Sequence, residues 1–339
     1  MKALVTGATG LLGSHIVDRL LERGDEVRAL ARPGSDTSYL EERGVELAQG
    51  DVTDFDSLRR ACQGMDCVFH AAARVSDWGP WSEFEAITIG GTEKALRAAV
   101  EAGVPRFLHV STDSVYPNRD RLRGAVYSED TPYEPKPPQW DHYQRAKIAA
   151  EAKVWEIHGE GRLRASAVRP ALILGERDRS IMPELIRFLS GRGAAYIGSG
   201  HNRHPIVYAG EAAQLCVLAA TEEAGAGQSY NAASGERVSQ RELFAAIAAE
   251  LGIDQPKRGV PFRLAYFLGA AGEMWARLTR SGRRPTLTRG AVNLVAANFS
   301  LELGKAKREL GWEATVPLRE AVRRSVEWLK AKQAQPAGG

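Results

Sequence analysis

A tyrosine and a lysine four positions apart, Tyr143 and Lys147 in the stretch DHYQRAK, are residues whose types and spacing could do chemistry. Residues four apart share a helix face, so an ammonium would stand beside a phenol. A free phenol titrates near pH ~10, and a neighbouring positive charge favours the phenolate, which moves the group toward useful acid/base behaviour. The same stretch would also serve as a polar turn on an ordinary surface helix, and alone it does not decide between the two. A second set is TGATGLLG, with Gly7, Gly10 and Gly13 directly after the apolar run KALVT. Glycine permits a tight turn and close backbone approach to a pyrophosphate, while a helix N-terminus offers unpaired N–H groups and a positive dipole end. A third is Arg32, after VRALA, where a dinucleotide fold places either an acid for the adenosine ribose 2′-OH or an arginine for a 2′-phosphate. The strand tip carries no carboxylate, so Arg32, with Arg28 behind it, favours NADP over NAD, although Asp36 lies close enough in sequence to swing in.

The elements that must position these residues follow from the pattern along the chain. KALVT, a helix from about Leu12 to Arg23, DEVRALAR, VELAQGD, CVFHAAA, a helix around Gly91 to Ala102, RFLHVST and ASAVRPALIL alternate short apolar runs with helical periodicity. Such alternation predicts βαβ crossovers and an α/β fold, a doubly wound parallel sheet with helices on both faces. After residue 176 polar, glycine-rich loops and helices such as Gln240 to Leu251 and Leu318 to Lys330 predict a smaller, mostly helical lobe. We expect a dinucleotide-binding part over 1–175, rejoined by about 206–233. A substrate-binding lobe is expected over 176–205 and 234–330, and a disordered tail over 331–339.

Composition narrows the function class. The chain has 339 residues with 45 basic and 42 acidic side chains, net +3, which gives no argument for a nucleic-acid partner. Cys62, Cys67 and Cys216 are odd in number with no CxxC pair, as expected of reduced, buried thiols in a cytoplasm. His201 and His204, three apart with Pro205 following, offer no third ligand, so no metal is expected. Glycines interrupt the first apolar run too soon for a secretory leader. Val260 to Leu278 is interrupted by Arg263, Glu273 and Arg277, so no transmembrane helix is expected, and contact of this segment with a membrane stays open.

Together the TGxxGxxG turn, Asp51-Val52, HAAA at 70–73, STDSVY at 111–116, YxxxK at 143–147 and RPALILG at 169–175 resemble an extended short-chain dehydrogenase/reductase, in order and spacing over about residues 1–330. The resemblance implies a Rossmann domain, with Tyr143 as acid/base, Lys147 lowering its pKa and contacting the nicotinamide ribose, and Thr112 binding the reacting oxygen. It places Gly7, Thr9, Gly10, Leu11, Leu12 and Gly13 at the cofactor's phosphates, and Arg32, Asp51 and Val52 at its adenosine end. Ala71, Ala72 and Ala73 fall at the diphosphate and ribose, and Pro170 and Ala171 at the carboxamide.

Within the family, AARVSDWGPWSEFE and PFRLAYFLGAAGEMWARL resemble the 3β-hydroxysteroid dehydrogenase-like branch, which includes bacterial 2-alkyl-3-oxoalkanoate reductases. Trp78, Trp81 and Trp140, with Asp113 and Ser114, then become candidate substrate contacts, and aromatics beside a cofactor favour an apolar substrate. Asp113 is followed by Ser114 where the sugar-nucleotide 4,6-dehydratases carry an Asp-Glu pair, which disfavours dehydration. Thr88 stands in TIGGT where the family usually has Asn. Arg203 lies near where nucleotide-sugar enzymes place an arginine for the substrate diphosphate. The expectation is therefore an NADP(H)-preferring oxidoreductase acting on a ketone or secondary alcohol of sterol or lipid type, with NAD possible. A sugar-nucleotide epimerase and a non-catalytic cofactor sensor remain alternatives. Members of the family often form homodimers, but the sequence does not fix the oligomeric state.

Overall fold

In a computed structural model that describes every residue except 119–120, 192, 280 and 335–339, the alternating runs become one seven-stranded sheet. Its strands are β1 (Lys2–Thr6), β2 (Glu26–Ala31), β3 (Glu46–Gln49), β4 (Cys67–His70), β5 (Arg106–Val110), β6 (Arg164–Pro170) and β7 (Ser229–Ala232). They lie in the order β7-β6-β5-β4-β1-β2-β3, every neighbouring pair parallel. The chain runs outward from β1 to β3, then crosses back to β4 on the other side of β1. Ligands of open α/β sheets bind outside the carboxyl ends of the strands at such a reversal, here between β1 and β4.

The two sheet faces are filled by alternate residues of the same strands, as a period of two requires. Ala3 and Val5 of β1 join Phe69, Ile16, Val17 and Leu20 of helix α1 (Leu11–Glu22), while Leu4 joins Val68, Phe107 and helices α2 (Gly90–Glu101) and α3 (His142–Gly159) through Ala95, Ala99 and Val154. Helix α4 (Ala209–Thr221) closes the first of these layers through Ala212, Leu215 and Cys216. Beyond the sheet lie α5 (Gln240–Leu251), α6 (Phe262–Leu278), α7 (Leu318–Ala334) and the shorter helices Ile181–Leu189 and Arg289–Ala296. Helix α5 starts on a reciprocal cap between Ser239 and Glu242 and stops at Gly252, whose φ of 68° is left-handed. A separate core of Leu174, Met182, Tyr196, Phe244, Ile247 and Val322 holds this part together. Among the described residues no helix is long and apolar enough to cross a membrane.

Three boundaries differ from the expectation. Strand β3 ends at Gln49, so Asp51 and Val52 follow it; the Asp51 carboxylate accepts from the N–H and the hydroxyl of Thr53, both at 2.7 Å, and this local turn takes the chain out of the sheet. The run ASAVRPALIL is two strands, because the chain leaves the large sheet after Pro170 and Leu172–Leu174 pairs with Ile206–Tyr208 in a smaller one. Helix α7 continues to Ala334, past the expected start of the tail, and the last five residues lie outside the described ones.

Candidate active site

The turn after β1 is shaped by what its glycines exclude. Gly7 has φ of 71°, and a Cβ on it would lie 2.7 Å from the Ala72 nitrogen. A Cβ on Gly13 would lie 2.1 Å from the Gly7 carbonyl oxygen. The first glycine thus lets the β1 turn run against the loop after β4, and the last lets α1 pack down on the turn. Gly10, the exposed N-cap of α1, leaves the helix start bare, with no side chain capping it. The residues fit a dinucleotide: a cradle that side chains would fill, at the sheet's reversal, closed by Gly10 N donating to the Gly7 carbonyl at 2.9 Å and followed by a helix start that no side chain caps. Thr9 and Leu11 are partly exposed there, whereas Leu12 is a core residue packed under the turn. Ala71 and Ala72 border Gly7, held by Thr6: its carbonyl accepts from Ala71 N at 3.1 Å and its hydroxyl from Ala72 N at 3.4 Å. Ala73 continues this loop, partly exposed.

At the tip of β2, Arg32 is exposed and makes no side-chain ion pair with any described residue. Arg28 is spoken for: it holds Glu46 at 2.7 Å and donates to the carbonyls of Ala61 and Gln63. Asp36 is held by Arg179 at 3.0 Å and Lys332 at 3.2 Å, which keep its carboxyl at about 2 together with Ser38. Of the three groups weighed from sequence, Arg32 alone is uncommitted. Val52 is buried against the start of α2, where a Cβ on Gly91 would lie 3.0 Å from its methyl.

Tyr143 and Lys147 lie four apart on α3 and share one of its faces. Burial pushes the Tyr143 phenol up to about 12; the Thr112 hydroxyl beside it favours ionisation, and Asp113 and Asp141 oppose it. The Lys147 ammonium donates to the Val110 carbonyl at 2.6 Å and stands 3.4 Å from His109 Nε2. Burial lowers it to about 8 against the pull of Glu151. The amine is thus turned onto the end of β5 in this arrangement. Tyr143 here is a protonated phenol, an acid before it is a base.

Thr112 begins a short turn at the end of β5, its hydroxyl accepting from Ser114 N at 3.1 Å. Asp113 is paired with Arg121 at 3.2 Å, whose guanidinium lies over Phe299. Ser114 is tied in through its carbonyl, which accepts from Gln144 of α3 at 2.8 Å. Pro170 ends β6 beside Ala232, and Ala171 N donates to the Ala232 carbonyl at 2.9 Å. The turns after β1, β4, β5 and β6 thus all open on the same edge of the sheet.

The aromatic candidates separate. Trp140, in the loop before α3, stacks under Arg289 at 4.6 Å and meets Tyr266 of α6 at 6.3 Å, and Trp78, in the loop after β4, lies under Arg277 of α6 at 5.3 Å. The loop carrying Trp78 is pinned by Asp77, which takes Arg284 and Thr288 at 2.6 Å. Trp81, partly buried, lies under Arg145 at 4.1 Å and meets His142, the neighbour of Tyr143, at 5.7 Å. Arg203 departs from expectation. Alternation along its strand turns buried His204 toward Arg121 and leaves Arg203 outside, exposed and bound to Glu242 at 3.3 Å and the Arg237 carbonyl at 2.6 Å. Among the described residues no group of three or more His, Cys, Asp or Glu could hold a metal.

Sequence reasoning missed the support behind the pair. Glu151, one turn beyond Lys147, is fully buried and takes Arg169 at 2.8 Å, Ser111 in a short hydrogen bond, and Tyr133 at 3.1 Å. Arg169 also donates to Tyr116 at 3.0 Å, and Tyr116 to Asn231 at 2.7 Å, tying α3, β6 and β7 together. The signal available was the polar Arg169 inside an apolar strand run, which implies a buried partner. Thr88, in the TIGGT stretch, is buried on a π-helical turn (Glu85–Ile89) and accepts from Arg74 N at 3.0 Å.

A family model described as the NAD dependent epimerase/dehydratase family matches residues 3–233. The chain is 30% identical to a 2-alkyl-3-oxoalkanoate reductase of Stenotrophomonas maltophilia, over 98% of this chain and 100% of that protein. It is also 30% identical to a 4-hydroxy-2-methyl-3-oxo-4-farnesyl-3,4-dihydroquinoline-1-oxide ketoreductase of Stigmatella aurantiaca, over 100% of this chain and 98% of the relative. Among solved structures, that of gox2253 superposes with a TM-score of 0.79 at 30% identity, covering 97% of this chain and 98% of the other.

Proposed function

Since the chain belongs to the NAD-dependent epimerase/dehydratase family and is an NAD(P)-dependent oxidoreductase of the extended short-chain dehydrogenase/reductase type, we propose that it reduces a ketone to a secondary alcohol on a hydrophobic, sterol- or lipid-like substrate, and runs the reverse, with NADP preferred over NAD. The observation that carries this reading is the protonated Tyr143 phenol beside the Thr112 hydroxyl, on the sheet edge where the glycine cradle opens.

A nicotinamide cofactor supplies or takes up the hydride. The glycine turn and the uncapped start of α1 at Leu11 and Leu12 would hold its diphosphate through backbone N–H groups, and Arg32 would meet a 2′-phosphate. Lys147 would bind the ribose and keep positive charge near the reacting oxygen. In reduction, Thr112 donates a hydrogen bond to the ketone oxygen, drawing charge onto it, and Tyr143 delivers the proton that oxygen needs. A phenol held near 12 is the correct form for that delivery at neutral pH. In oxidation the same phenol must first lose its proton before it can act as the base.

Two features favour an apolar substrate. Trp78 and Trp140 lie in loops that meet α6 through Arg277 and Tyr266, which would set aromatic surface at the substrate side, and the names of the two relatives both carry a 3-oxo group beside an alkyl or farnesyl substituent. Arg203, the residue that would speak for a sugar diphosphate, faces Glu242 instead. The test is a panel of long-chain 3-oxo compounds, sterol ketones and nucleotide sugars with NADPH and NADH. Ketone-dependent loss of NADPH absorbance is expected; turnover of nucleotide sugars without net cofactor consumption would replace this reading with an epimerase.

A further inference from the structure

Helix α6 is built inside out. The residues it buries against the protein are small or paired: Ala265, Gly269, Ala276, and Glu273, which holds Arg289 at 2.6 Å. A Cβ on Gly269 would lie 2.9 Å from the Thr288 backbone, so the contact is made by close approach. Its large apolar side chains point the other way. Leu264, Phe267, Leu268, Met274, Trp275 and Leu278 are between 49% and 72% exposed. At 100° per residue they form one stripe about 120° wide along the helix, opposite the buried face. Leaving six large hydrophobes in one stripe in water is costly, and contiguous apolar patches of this kind mark interaction sites.

Charge identifies the partner. Residues 257–290 carry eight lysines and arginines and one acid, a net of +7, although the whole chain carries only +3. That one acid is the buried Glu273, whereas Arg258, Arg263, Arg277 and Arg283 are exposed on α6 or in the segments that flank it, and Lys257 pairs with Asp254 at 3.5 Å. We propose that α6 docks this protein on the surface of an anionic lipid bilayer, the apolar stripe lying among the acyl chains and the basic residues meeting the headgroups. Basic residues beside Trp, Phe and Leu on one helix face are the pattern of a helix lying in the membrane interface. A second copy of the chain fits less well: around a two-fold axis the same patch meets itself, setting a segment of net +7 against its own copy. Tyr266 of this helix touches Trp140, and Arg277 covers Trp78, so the docked face adjoins the proposed substrate side. The docking does not depend on the substrate reading; only its usefulness for a lipid-soluble substrate does.

Sedimentation of the full chain with vesicles tests this without any activity measurement. Binding is expected to phosphatidylcholine vesicles containing phosphatidylglycerol, weaker to phosphatidylcholine alone, and reduced by salt. Phe267→Glu and Trp275→Glu should each lower the partition coefficient at least about tenfold. Both side chains are exposed, so melting temperature and turnover of a water-soluble ketone should be unchanged. Absence of binding to the anionic vesicles, or equal binding by the variants, would overturn the proposal. So would a dimer in solution that Trp275→Glu dissociates, since a second copy would then cover the stripe.

Discussion

Substituting Gly13 with alanine puts the cofactor cradle to a quantitative test. The new Cβ would fall 2.1 Å from the Gly7 oxygen and 2.7 Å from the Gly7 carbonyl carbon, both backbone atoms that cannot rotate away. Restoring an ordinary contact of about 3.4 Å moves the start of α1 away from the turn by about 1.3 Å. Overpacking of this kind costs about 1–3 kcal/mol of stability. A misplacement of about 1 Å in a binding constellation costs about a hundredfold. We therefore expect Gly13→Ala to lower the melting temperature by several degrees and to weaken NADPH binding about a hundredfold, read by calorimetric titration. Gly10→Ala separates the two effects: its Cβ has a single close neighbour, the Gly7 oxygen at 3.2 Å, and the position is exposed, so folding should survive while cofactor affinity falls. If both variants bind NADPH like the wild type, the glycine turn is not the phosphate site.

Further expectations concern charge and protons. Arg32→Ala should weaken NADP by about ten- to a hundredfold and leave NAD nearly unchanged, because a charge-assisted contact to a phosphate is worth about 1.5–3 kcal/mol; equal losses by titration would refute the 2′-phosphate contact. The rate of ketone reduction, followed as kcat/KM for the cofactor, should fall as pH rises through about 8 and Lys147 loses its proton, while alcohol oxidation should gain with pH as Tyr143 ionises. A Lys147→Arg variant, which stays charged, should lack the inflection near 8. Burial holds His15, His70 and His204 neutral, at about 3, 3 and 4 against an ordinary 6.5. With folded values depressed, their stabilisation is complete above pH 6.5 and is lost as pH falls through that value toward 4. At pH 5 each site costs about 2 kcal/mol, so urea midpoints should drop steeply between pH 7 and 5; a flat profile would contradict the burial argument.

The parallel sheet was legible because its strands, buried on both faces, are short apolar runs, and the cradle because glycines can be read directly from the sequence. The helix limits of α5 match the expectation at both ends, where a serine cap and a left-handed glycine mark them. Direction was not legible. Spacing put Lys147 on the face of Tyr143, yet could not show that the Val110 carbonyl would capture its amine. Arg203 was close to the site in sequence, but one step of strand alternation set it on an outer surface. The Glu151–Arg169–Tyr116–Asn231 network joins residues up to 115 positions apart, a pairing that no local pattern encodes. The outward apolar stripe of α6 was visible as hydrophobicity, but only packing shows which face the protein leaves uncovered.

The central claim is that Tyr143 gives its proton to the oxygen of a reduced ketone. Its most direct test compares wild type with Tyr143→Phe, following NADPH oxidation under saturating ketone alongside NADPH affinity by titration. Loss of the phenolic proton should cut kcat about a hundred- to ten-thousandfold while cofactor affinity stays within a factor of about two. Turnover close to the wild type's would contradict the claim and remove Tyr143 from the chemistry.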